Sequence, residues 1–238
     1  MALGENNHLV CGLVERSGEP EADCLDMGTS GVDVRAELGR LRLEFVDAVA
    51  GLSPDQWDVP SWCAGWRVRD VVGHLVSMRV TGQAELFWRI ARTGFRPDRA
   101  VDRLARQFGD RPEAQLLEQL RDAGDEGFRL PGVPAELGLG DLLVHTADAL
   151  RPLGISPDPP VDDVVVVLDV YKRWGRRVFH ALPHQGVALV ATDVEWRDGL
   201  GPEVRGKAID LLLLVANRRQ VIGCLDGPGV QHLSQSER

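Results

Sequence analysis

The sequence predicts an α+β protein in which an all-helical region precedes a small α/β domain. Three observations carry this expectation. Apolar residues recur with a period near 3.6 from Val34 to Leu150. After Pro183 the pattern shortens to runs with strand character. Between the two lies the proline-rich stretch Ser156-Pro157-Asp158-Pro159-Pro160. The expected organisation is a flexible leader over 1–32, a helical bundle over 33–158 and a small α/β domain over 159–238.

Residues 1–32 are rich in Gly, Glu, Asp and Ser and carry little periodicity, hence the leader. Val34, Leu38, Leu41, Phe45, Val46 and Val49 mark a first helix over 33–51, stopped by Gly51 and Pro54. A tryptophan-dense loop follows, with Trp57, Trp62 and Trp66 within ten residues, too much apolar mass to leave in water. Val68, Val71, Val72, Leu75, Gly82 and Leu86 mark one long helix over 67–93. Residues 98–127 read as helical pieces broken at Gly109–Pro112. After a connection from Pro131, a helix starts near Asp141 and stops at Pro152 and Gly154. Val164-Val165-Val166-Val167 has strand propensity. However, Val164, Leu168, Tyr171, Trp174 and Val178 keep helical spacing, so 161–182 is expected as helix. Val187–Thr192 and Val194–Trp196 read as strands, Gly206–Arg218 as an apolar helix and Val221–Leu225 as a last short strand.

Composition narrows the function. With 44% hydrophobic and 26% charged residues in 238, the chain can build a real core. A net charge of −9 gives no general attraction to nucleic acid or anionic lipid. No run approaches the ~20 apolar residues of a membrane span. With no secretory pattern at the N-terminus, a cytoplasmic location is expected. Cys11, Cys24, Cys63 and Cys224 form no CxxC pair, which argues against a disulfide framework or a thiolate zinc knuckle. Lys172 and Lys207 are the only lysines beside 25 arginines, a bias toward GC-rich codons.

One stretch carries chemistry. On the helix after Gly140, Asp141 and His145 stand one turn apart and Asp148 one turn further, a narrow polar stripe on an otherwise apolar cylinder. His74, on the earlier helix, flanks an apolar stripe of its own. Two ligands four apart on one helix and a third from a neighbour can close on one ion inside a bundle. Mixed nitrogen and oxygen ligation suits Zn²⁺ or another divalent ion, and three protein ligands leave room for water or substrate. The plain alternatives are that Asp141 caps its helix and that the histidines are satisfied core residues. Asp148 suits a carboxylate orienting an imidazole rather than a ligand. His180 and His184 are also four apart, but Pro183 intervenes and a surface pair is expected. Cys63 reads as a small packing residue rather than a nucleophile. No GxSxG, P-loop or GxGxxG motif occurs.

A family resemblance joins these residues. Cys63-Ala64-Gly65-Trp66-Arg67-Val68-Arg69-Asp70-Val71-Val72-Gly73-His74-Leu75 resembles the C-x-G-W-x-V-x-D-V-x-x-H-L signature of the mycothiol-dependent maleylpyruvate isomerase family, part of the wider DinB-like helical bundles. Asp141 to Gly154 resembles its second signature, [DE]-x-x-x-H-x-x-D-x-x-R-P-L-G. Ala191–Trp196, Gly201–Gly206 and Leu225–Gly229 resemble its C-terminal domain. Asp141 stands where many members carry Glu, and Thr146 where Gly is frequent.

The resemblance implies a DinB-like four-helix metal-binding bundle plus a small α/β domain, with His74, Asp141 and His145 as metal ligands. It implies Zn²⁺ and the low-molecular-weight thiol mycothiol, which belongs to high-GC actinobacteria and agrees with the arginine bias. Zinc lowers the pKa of a bound thiol. The thiolate adds to the cis double bond of maleylpyruvate, the adduct rotates, and expulsion of the thiol leaves fumarylpyruvate. The expected function is a zinc-dependent, mycothiol-using isomerase or thiol S-transferase acting on a small-molecule electrophile. Arg205 is a candidate carboxylate anchor and Asp148 the orienting carboxylate. A non-catalytic metal- or ligand-binding protein on the same scaffold is the alternative.

Overall fold

The first helix begins where Asp33 can cap it, its carboxylate accepting the backbone N–H groups of Arg35 and Ala36 at 3.1 and 3.3 Å. The computed structural model describes residues 33–122, 134–178 and 186–235, with only the backbone of 173–178 and 234–235. The leader expected over 1–32, the start of the connection at Pro131, and His180 and His184 lie outside the described residues.

Among the described residues, ten α-helices and three strands follow in order. They are α1 (Val34–Ala50), α2 (Pro54–Trp57), α3 (Val68–Val80), α4 (Gln83–Arg92), α5 (Pro97–Gly109), α6 (Glu113–Asp122), α7 (Glu136–Leu150), α8 (Val161–Val178), β1 (Ala188–Ala191), β2 (Arg197–Gly199), β3 (Glu203–Gly206), α9 (Ala208–Val215) and α10 (Val230–Gln235). The chain is therefore mostly helical with a small sheet in its C-terminal part, as the periodicity predicts.

Four helices close a ring, with α1 against α7, α7 against α3, α3 against α6 and α6 against α1. Leu38, Leu41, Phe45, Val46 and Val49 of α1 are buried in it, the residues of the helical stripe. α5 lies against the back of α3, and α8 against the back of α7. Each contact needs a glycine. A Cβ on Gly73 would sit 2.4 Å from the backbone nitrogen of Gly109. A Cβ on Gly140 would sit 2.7 Å from the Tyr171 hydroxyl. These close approaches fix how α3 and α7 are rotated, and the residue after each glycine, His74 or Asp141, turns toward the other helix. α3 is further fixed at its start, where the buried Asp70 carboxylate accepts the Arg67 backbone N–H at 2.9 Å and its guanidinium at 2.9 and 3.0 Å.

In the sheet β1 is central, antiparallel to β2 with Ala188 opposite Gly199 and parallel to β3 with Ala188 opposite Glu203. The wholly buried α9 packs on β1, β3 and α8. A buried ion pair of 2.7 Å between Arg151, just after α7, and Asp210 of α9 joins the bundle to this layer.

Several expectations are corrected. The single helix over 67–93 is two, because Thr81 and Gly82 take extended backbone with ψ of 117° and 153°. The tryptophan loop contains α2, which buries Trp57. α7 starts at Glu136, so Asp141 lies inside the helix and not at its cap. Val194–Trp196 is not a strand; β2 begins at Arg197, and β3 was not expected. Val221–Leu225 is not a strand either; Arg219–Cys224 forms a 3-10 turn.

Candidate metal centre

α3 and α7 face one another across the bundle and bring His74, Asp141 and His145 together. One donor atom from each lies within 4.8 Å of the others. Asp141 is bracketed, with Oδ2 3.5 Å from His74 Nε2 and Oδ1 3.4 Å from His145 Nε2. The imidazole centroids are 4.6 Å apart and the rings stand 65° to each other. Both histidines are buried and the carboxylate is partly exposed, so the group opens on the Asp141 side. Among the described residues, neither ring nitrogen of His74 has a hydrogen-bond partner.

Asp148 completes the stripe from below. A carboxylate only accepts, so His145 donates through Nδ1–H to Asp148 Oδ2 at 3.0 Å. This leaves His145 Nε2 turned toward Asp141. Asp148 is wholly buried and is itself held by Arg218, whose Nη2 and Nε lie 2.7 and 3.0 Å from the two carboxylate oxygens. A third guanidinium donor meets the Ala216 carbonyl at 2.7 Å. Arg218 follows α9 at the end of the apolar helix expected from the sequence. Sequence reasoning missed it, since nothing local marks it among 25 arginines.

Trp66 forms one wall. Its ring lies 5.2 Å from that of His74 and 5.8 Å from that of His145, and its Nε1–H donates to Asp102 at 2.9 Å. The tryptophan-dense segment therefore divides its labour, Trp57 packing the core and Trp66 bordering the histidines. The Trp62 backbone N–H donates to the Asp148 carbonyl at 3.0 Å, tying the loop to α7.

The charges are uneven. Burial pushes His74 down, more than Asp141 lifts it. Burial opposes the charge of His145 too, but Asp141 and Asp148 together raise it to about 9. Asp141 stays well below the usual carboxylate range; burial would raise it, and the two imidazoles outweigh burial. Cys63 lies near enough to His145 and Asp148 to form a second three-donor group. Burial, then the charge of Asp148, pushes its thiol up to about 11, so it is protonated at neutral pH and is a poor nucleophile. The structure does not join Arg205 to these residues. It lies exposed on β3, 3.5 Å from Glu203.

Comparison with known proteins bears on the resemblance over part of the chain. Residues 38–130 match the family model of the mycothiol maleylpyruvate isomerase N-terminal domain. The matched segment carries His74 and Trp66 and ends before Asp141 and His145. No curated protein sequence matches the chain. Two crystal structures, of the mycothiol-dependent maleylpyruvate isomerase and of a point mutant of it, align at 14% identity over 83% of this chain and 94% of theirs, with TM-scores of 0.45 and 0.47. Among the described residues no helix is long and apolar enough to cross a membrane.

Proposed function

We propose that this chain is a divalent-metal enzyme that uses mycothiol as thiol cosubstrate, acting as a maleylpyruvate isomerase-like enzyme or a thiol S-transferase. His74, Asp141 and His145 would hold the ion, zinc by the chemistry of two imidazoles and one carboxylate. The observation that carries this reading is the buried His74 ring. Both its nitrogens lack a hydrogen-bond partner among the described residues, while its Nε2 faces a carboxylate and a second imidazole. A buried polar group without a partner is costly, and a cation shared by the three donors removes that cost.

A zinc ion held there would keep a coordinating thiol as thiolate at neutral pH. The chain's own residues supply order around it. With the ion bound, Asp148 would keep a proton on His145 Nδ1 and leave Nε2, its own proton displaced, to the metal. Arg218 holds Asp148 in place through two hydrogen bonds and is a positioning residue. Trp66 closes one side with an apolar face, and the partly exposed Asp141 side is left for a small-molecule electrophile and thiol.

The test is a rate measurement on zinc-loaded protein with mycothiol, using maleylpyruvate and a panel of other electrophiles. The expected result is turnover of at least one of them, dependent on both thiol and metal and abolished by His145→Ala. Tight metal binding with no thiol-dependent turnover would instead leave a non-catalytic metal-binding protein.

A further inference from the structure

The corner formed by α4 and α5 is built unlike the rest of the molecule. Leu86 and Ile90 turn α4's inner side to the protein, yet Ala84, Phe87, Trp88 and Ala91 repeat at helical spacing on its outer side. Phe87 is 61% exposed and Trp88 67%. Val80, just before α4, and Phe95, just after it, are exposed as well. Phe95 has φ of 57°, a backbone region that a bulky side chain occupies only under strain. Thr93 fixes this turn, its hydroxyl lying 2.7 and 2.9 Å from the carbonyl oxygens of Ile90 and Arg96, which share its one proton. The chain thus presents a phenyl ring to water at a position where glycine would cost less.

The charge around these aromatics is reversed. Between residues 79 and 106 there are seven arginines and three acids, in a chain of net charge −9. Arg92, Arg96, Arg99 and Arg103 enter no ion pair among the described residues. Arg92 and Arg103, with Trp88, line a cleft of about 420 Å³ between the two helices.

We propose that this corner docks on an anionic bilayer surface, with Phe87, Trp88 and Phe95 entering the boundary between headgroups and acyl chains and the arginines meeting headgroup phosphates. An apolar helix face flanked by cations is the pattern of an interfacial helix. Screening limits the acidic remainder of the chain, because charges beyond roughly 8–10 Å are weakly felt at physiological salt. Nucleic acid fits less well, since Val80, Ala84 and Ala91 surround the rings of Phe87, Trp88 and Phe95 with aliphatic surface on which no base stacks. A second copy of the chain would set one arginine cluster against another.

Sedimentation of the full chain with vesicles tests this. Binding is expected to phosphatidylcholine vesicles containing about one-third phosphatidylglycerol, to be much weaker with phosphatidylcholine alone, and to fall as salt rises. Phe87→Ser/Trp88→Ser and Arg92→Glu/Arg103→Glu should each lower partitioning about tenfold or more. Phe95→Gly should weaken binding while holding or raising the melting temperature, which separates a lost contact from a lost fold. Equal binding to both vesicles, or none, overturns the proposal. So does vesicle binding that persists in both double variants, a tighter complex with a single-stranded oligonucleotide, or self-association that Phe87→Ser/Trp88→Ser abolishes.

Discussion

Arg218 and His145 meet on a single oxygen, Oδ2 of Asp148, at 2.7 and 3.0 Å. The arginine comes from the C-terminal layer and the histidine from the bundle, so this one carboxylate couples the two parts of the molecule at the proposed metal centre. Asp148→Asn keeps the shape but removes the charge. It should lower zinc affinity about 10–100-fold, the usual cost of losing a carboxylate behind a histidine ligand. Competition with a chromogenic chelator measures this; unchanged affinity would refute the orienting role.

Removing the arginine acts differently. Arg218→Met leaves a buried carboxylate with one partner fewer, and such losses cost about 3–5 kcal/mol. A clear fall in the urea midpoint is expected, with Asp148→Asn/Arg218→Met losing less than the sum of the single variants. Strict additivity would mean that the two side chains are not coupled.

The glycines behind the site give a packing test. A methyl group on Gly73 meets α5 backbone, while one on Gly140 meets the side chains of Tyr171 and Val167. Gly73→Ala should therefore cost more than Gly140→Ala, about 2–3 kcal/mol against about 1. Thermal unfolding ranks them, and equal melting temperatures would contradict the account of how α3 and α7 are oriented.

Much of this site was legible in the sequence. The two imidazoles and one carboxylate were found by spacing on α7 and by the block around His74, because helix geometry fixes which residues share a face. The break at Thr81–Gly82 was hidden because the apolar stripe continues in phase across it, into Leu86 and Ile90. β3 was hidden because Glu203-Val204-Arg205-Gly206 is short and gains its partners from β1, on the far side of β2 in the chain. Arg218 was invisible for the same reason, since its importance rests on an oxygen 70 residues earlier.

Away from the proposed metal centre, Asp163 near the start of α8 gives a pH test. Burial, then neighbouring Glu37, pushes its carboxyl up to about 6, against the partial relief of Arg40 at 3.5 Å. The raised value means that the folded state binds the proton more tightly than the unfolded chain. Stability from this group is therefore present below about pH 4 and is lost as pH rises through about 6. Asp163→Asn should match the wild type at the acid end and exceed it above pH 6 by on the order of 2 kcal/mol. Urea unfolding across this range measures the difference, and a difference that does not change with pH would contradict it.

The central claim is that His74, Asp141 and His145 share one ion. Anomalous diffraction at the zinc edge, on crystals of protein loaded with stoichiometric zinc, tests it most directly. The expected result is a single strong peak at bond lengths of about 2.0–2.2 Å from His74 Nε2, His145 Nε2 and an Asp141 oxygen, with at least one position open to solvent. No peak between these side chains, or a peak held elsewhere on the chain, would contradict the account.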